Sequence, residues 1–156
     1  MKSQISFTTD IFESKEVKPH FIDNRCFGED LARWLVGACS GHEFIFAEPF
    51  QDDWGWTVWA EADGEKFVVG CAIMDRSIGA EQADWLITVG KERRWKMFGS
   101  KDSLLRSNLC DLIQNVLRDK PHIREIRWKI KSDILHTKNW RDIFVYSTLI
   151  QQNKGF

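Results

Sequence analysis

Apolar positions along this chain recur with two different periods, and most of the elements can be read from which period holds. Between Trp54 and Ile73 large apolar residues alternate with smaller or polar ones on both sides of Asp63-Gly64. Asp-Gly is a preferred centre for a two-residue hairpin turn, because its positive φ angles match the twist of the flanking strands. The register follows outward. Ala62 falls opposite Glu65, Ala60 opposite Phe67, Val58 opposite Val69, Trp56 opposite Cys71 and Trp54 opposite Ile73. The last four of these pairs are expected to form one dense apolar face. The alternate face pairs Trp59 with Val68, Thr57 with Gly70 and Gly55 with Ala72, and its weaker apolar character predicts a surface partly open to solvent or to a partner.

The same period appears elsewhere. Ile126, Trp128 and Ile130 alternate with Glu125, Arg127, Lys129 and Lys131, the pattern of a strand buried on one side. Ala83 to Val89 is rich in β-branched and aromatic residues and reads as a further strand. Glu43 to Glu48 predicts a strand closed by Pro49, with Gln51-Asp52-Asp53 as the loop into the hairpin. A short strand around Ile5-Ser6-Phe7 precedes a loop containing Pro19.

A period near 3.6 marks two other stretches. Phe27, Leu31, Trp34, Leu35 and Ala38 form one stripe, with Glu29 and Asp30 in the first turn and Gly41 placed to end the helix. Leu105, Leu109, Leu112, Ile113 and Val116 form a second stripe over about 102–118, with Ser100 as its expected cap and Lys120-Pro121 as its stop. A final helix is expected over 139–151. Strands and helices in this order predict an α+β two-layer sandwich, a mostly antiparallel sheet of about five strands with two or three helices packed on one face. Residues 1–156 are expected to form one domain, with Trp34, Leu105, Leu109 and Leu112 lying against Trp56, Val58 and Val69.

Composition narrows the setting. The hydrophobic share of 43% and eight tryptophans belong to a folded globular chain. The N-terminal residues lack the apolar core of a secretory leader and no run is long enough to span a membrane, so a cytoplasmic location is expected. Cys26, Cys39, Cys71 and Cys110 are isolated from one another and read as free thiols. The net charge of −1 hides a split: residues 41–65 hold seven carboxylates and no lysine or arginine, whereas residues 91–156 hold fifteen basic and seven acidic side chains, a net of +8. Kept apart by the fold, the two signs would steer charged partners.

Chemical motifs are sparse. No nucleophile elbow, dinucleotide fingerprint or phosphate-binding loop is present, and no Cys or His spacing suits a structural zinc. No catalytic residue, metal site or cofactor is therefore assigned. The first reading is a small non-catalytic protein that binds another macromolecule, as inhibitors, immunity-type proteins and accessory proteins do. Its contact residues would be Trp59 with Arg93, Arg94, Trp95 and Lys96, since tryptophan and arginine most often anchor interfaces. An alternative is an enzyme using Glu48, Asp52 or Asp53 beside an aromatic pocket. Another is nucleic-acid contact through the loop 91–101, where five basic residues accompany Trp95 and Phe98, although a pI near 6.4 argues against general nucleic-acid binding. An exposed sheet edge would also offer a route to a homodimer.

Overall fold

The computed structural model describes residues 2–92 and 103–130. The expected final helix over 139–151 lies outside the described residues, as does most of the loop 91–101. The elements are β1 (Lys2–Thr9), α1 (Glu29–Cys39), β2 (Ile45–Phe46), β3 (Phe50–Asp52), β4 (Gly55–Ala62), β5 (Glu65–Ile73), β6 (Ala83–Lys91), α2 (Leu104–Asp119) and β7 (Arg124–Ile130). The fold is α+β, with one antiparallel sheet of seven strands and two helices among the described residues. The sheet runs β2-β4-β5-β6-β1-β7, and β3 also pairs with β4.

The hairpin β4–β5 has the register set by its turn: Ala62 faces Glu65, Val58 faces Val69 and Trp56 faces Cys71. Asp63 and Gly64 take φ values of 48° and 74°, as a turn matched to strand twist requires. From this hairpin alternate side chains of β6 and β1 extend one face, with Val89, Ile87, Trp85, Ile5 and Phe7 all buried. Leu31 and Leu35 of α1 and Leu109, Ile113 and Leu117 of α2 close over it, forming the main core. Trp34, Leu105 and Leu112 pack against that core from partly buried positions. Cys39, Cys71 and Cys110 sit among its buried residues, and with the buried Cys26 they are free thiols.

Three expectations need correction. Sequence indicated about five strands, but the stretch 43–53 supplies two short strands, because the chain leaves β4 at Glu48-Pro49 and rejoins it at Phe50. The N-terminal strand is eight residues long and lies inside the sheet, between β6 and β7. Trp54 does not join the apolar face with Ile73. It precedes β4 and turns to the opposite face, where it packs with Val68, Ala72 and Trp59. Gly70 admits it there: a methyl group at Gly70 would lie 2.0 Å from the Trp54 ring and 2.6 Å from Thr88 Oγ1.

Helix boundaries shift by a few residues. The cap of α2 is Ser103, whose hydroxyl accepts the Arg106 backbone N–H at 3.0 Å, and the helix starts at Leu104 rather than near 102. Helix α1 ends at Cys39, capped at Ser40 before Gly41 is reached.

Candidate functional site

The sheet face turned away from the helices carries the sequence's leading candidate, Trp59. Thr57, Trp59 and Glu61 of β4 point to this side, as do Ile45 and Phe50, their registered neighbours on β2 and β3. Ile45 is 78% exposed and Phe50 42%. Trp59 is half-buried, with Lys66 Nζ 4.6 Å from the centre of its ring, an arrangement worth about 0.5–1 kcal/mol at an exposed site. On this face Glu61 registers with Ile45, while Asp53 and Asp63 occupy the turns at the two ends of β4; all three are exposed and in no ion pair among the described residues. Of the other expected contact residues, Arg93, Arg94, Trp95 and Lys96 lie outside the described residues.

Charge partly follows the chain split. The acidic segment forms the β2–β3 end of the sheet, and the other end is β7, whose Arg124, Arg127 and Lys129 register with Thr8, Ser6 and Gln4 on this same face. Some interleaving occurs, as Lys91 reaches Glu65 at 3.4 Å.

Between those ends the face is closed, so it is open only in part. Thr57, Gly70, Thr88 and Gln4 stand in one cross-strand row, and Thr57, Thr88 and Gln4 are buried with no hydrogen-bond partner for their side chains among the described residues. Small residues there admit the Trp54 ring, so alternation alone underestimated how much this face buries. Such unpaired groups are rare in native proteins and are commonly served by internal water.

The carboxylates proposed for catalysis are placed by a tight turn. Asp52 closes β3 and its carboxylate accepts the Asp53 backbone N–H at 2.8 Å, a local turn bond. Asp53 is exposed, and its carbonyl accepts the Cys26 thiol at 3.5 Å. Glu48 pairs with Arg33 of α1 rather than with either aspartate.

A second region was missed in the sequence. The segment after β1 runs from Asp10 to Gly28 before α1 begins, and it is fastened to the end of the sheet by named bonds. Gln51 uses both ends of its amide, accepting from Ile22 N–H and donating to the Asp23 carbonyl. Trp56 Nε1 donates to the Cys26 carbonyl at 2.9 Å. Gly28, with φ of 136°, lets the chain pass close to the Cys71 carbonyl, which a side chain there would meet at 2.7 Å.

This segment delivers His20 to the carboxylate of Glu29, which Arg33 also approaches at 3.3 Å. Burial works to raise the Glu29 pKa, but the hydrogen bonds from His20 and Arg33 outweigh it and hold the carboxyl below its ordinary range. Asp30 behaves oppositely. Burial pushes its pKa up, and the bonds it accepts from Glu13 N–H at 2.6 Å and Leu31 N–H at 3.0 Å offset only part of that. Asp30 borders two adjoining depressions of about 490 and 510 Å³.

Among the described residues no three His, Cys, Asp or Glu side chains gather as metal ligands, and no helix is long and apolar enough to cross a membrane. In comparisons with known proteins, no family model, no curated protein sequence and no solved structure matches this chain.

Proposed function

We propose that this chain is a non-catalytic binding protein whose contact surface is the apolar end of the outer sheet face, with the carboxylates of β4 and its flanking turns at its margin. What supports this reading is the grouping of Ile45, Phe50 and half-buried Trp59 with Glu61 on one face, and the exposed Asp53 and Asp63 in the turns at the ends of β4, all three carboxylates without an ion pair among the described residues. An apolar centre with a polar rim is the usual anatomy of a protein interface, and the sign of the rim suits a partner with basic side chains. Added-strand recognition is the weaker option. The edge strands at this end of the sheet are only two and three residues long and are interrupted at Pro49, features that discourage pairing with another chain there. The partner would therefore be held by side chains.

The test is affinity capture with the full chain, comparing wild type with Trp59→Ala and with Ile45→Ser/Phe50→Ser. A specific protein retained by wild type and lost from both variants, with melting temperatures within a few degrees of wild type, supports the reading. Retention by both variants sinks it.

A second reading, nucleic-acid contact, draws on Arg124, Arg127 and Lys129 along β7. It predicts affinity for single-stranded oligonucleotides that falls steeply with added salt and survives Trp59→Ala. An affinity independent of salt would dismiss it.

A further inference from the structure

The cleft beside Asp30 has the make-up of a small-ligand site, independent of the surface proposed for a macromolecular partner. Phe12 comes from the segment following β1, Trp34 from α1, and Pro121 and His122 from the turn between α2 and β7. The volume, about 490 Å³, lies within the range of small-molecule pockets, and its lining is mostly apolar with a few polar groups, as such pockets usually are. Its far rim carries Lys120 and His122. His122 takes φ of 70°, an uncommon conformation for a residue with a side chain, and its carbonyl is held by Thr9 Oγ1 at 2.8 Å. The turn is thus fixed to β1, which holds that rim in place.

Asp10, Glu13 and Glu81 line the adjoining depression, while among the described residues the only carboxylate lining this cleft is Asp30. Each of its oxygens accepts one backbone N–H, leaving further lone pairs for a ligand. Among the described residues no Lys, Arg or His nitrogen lies within 4 Å of it. The Lys18 charge acts on Asp30 only from beyond ion-pair distance, so this half-buried carboxylate is incompletely compensated and burial disfavours its charge. The Phe12 and Trp34 rings lie 5.7 Å apart at 50° to one another beside it. Aromatic surfaces next to a carboxylate suit a cation carried on methylene groups, through both packing and attraction to the ring faces. An anion would meet Asp30 unfavourably, and a purely apolar molecule would leave it unpaired.

We propose that this cleft binds a primary ammonium group carried on an aliphatic chain, with the ammonium at Asp30 and the chain lying against Phe12 and Trp34. The chemistry is shared by free alkyl amines and by a lysine side chain of another protein. The positive rim at Lys120 requires the far end of the ligand to be neutral or acidic, or to extend past that rim into solvent.

The full chain is titrated separately with cadaverine, with Nα-acetyl-lysinamide and with hexanoate, following the indole N–H resonance of Trp34 by NMR. Saturable shifts with either amine, weakened tenfold or more by Asp30→Asn and reduced by Trp34→Leu, support the proposal; charge-assisted hydrogen bonds are of that size. Response to cadaverine alone assigns a free amine, and response to Nα-acetyl-lysinamide alone assigns a lysine side chain. The proposal is overturned if neither amine shifts Trp34, if hexanoate does so equally, or if Asp30→Asn binds as tightly as wild type. Should Asp30→Asn fail to fold, Asp30→Glu moves the carboxylate by one methylene and must also weaken amine binding.

Discussion

At Gly70 a single missing methyl group lets one tryptophan occupy the centre of the outer face. Replacing it with alanine forces the Trp54 ring and Thr88 hydroxyl apart from contacts of 2.0 and 2.6 Å. Overpacking of this kind costs about 1–3 kcal/mol, so Gly70→Ala is expected to lower the urea midpoint and to shift the Trp54 fluorescence. An unchanged midpoint would mean that the ring has room to move. The neighbours Glu29 and Asp30 should titrate with opposite signs. Glu29 has its folded pKa depressed, so the stability it contributes is present above its unfolded pKa and is lost as pH falls through the folded one. Asp30 has its folded pKa raised, so its ionisation costs stability as pH climbs from the ordinary aspartate range through the raised value. Urea denaturation across pH should show a shallower acid limb for Glu29→Gln and a relative gain near neutrality for Asp30→Asn. The same slope in both variants and wild type would contradict this assignment.

At the scale of elements, the segment 10–28 holds its place through a few bonds at its far end. Gln51→Leu removes the partner of Ile22 N–H and of the Asp23 carbonyl. Hydrogen exchange at Ile22 should then quicken at least tenfold while the global midpoint moves little, since those groups regain water when the segment lifts. Trp56→Phe acts differently, because it strips a buried bond to the Cys26 carbonyl; a loss of about 1–3 kcal/mol is expected.

The sequence made the hairpin register legible because Asp63-Gly64 fixes it locally, and both helices because their apolar stripes are continuous. It concealed whatever depends on distant packing. The turn of Trp54 to the outer face needed knowledge of what lies above Gly70. The length of β1 was hidden because Gln4, Ser6 and Thr8 are polar yet face a side whose centre is buried. Of the candidate site, Trp59 was legible from alternation, whereas the exposed neighbours Ile45 and Phe50 became visible only when two short strands were seen to share β4. The Asp30 cleft had no sequence signal at all, since it joins residues near 12, 30 and 120 that only the fold brings together.

Among the described residues of the whole molecule, exposed carboxylates accompany the exposed Ile45 and Phe50 at one end of the sheet, so the partner capture proposed for that end should weaken as ionic strength rises from low values to well above physiological. Screening over about 8–10 Å at moderate salt acts on exposed carboxylates far more than on buried contacts. Capture that is indifferent to salt would assign the recognition to Ile45, Phe50 and Trp59 alone. The interior offers a different handle. Burial pushes the Cys39 thiol up to about 12 and the Cys71 thiol in the same direction, so neither presents the reactive thiolate near neutrality. The native chain thus carries a chemical clock in its interior: a thiol-modifying reagent added under mild conditions can consume these sulfurs only during openings of the core, and the pace of that consumption reads how often this protein comes apart.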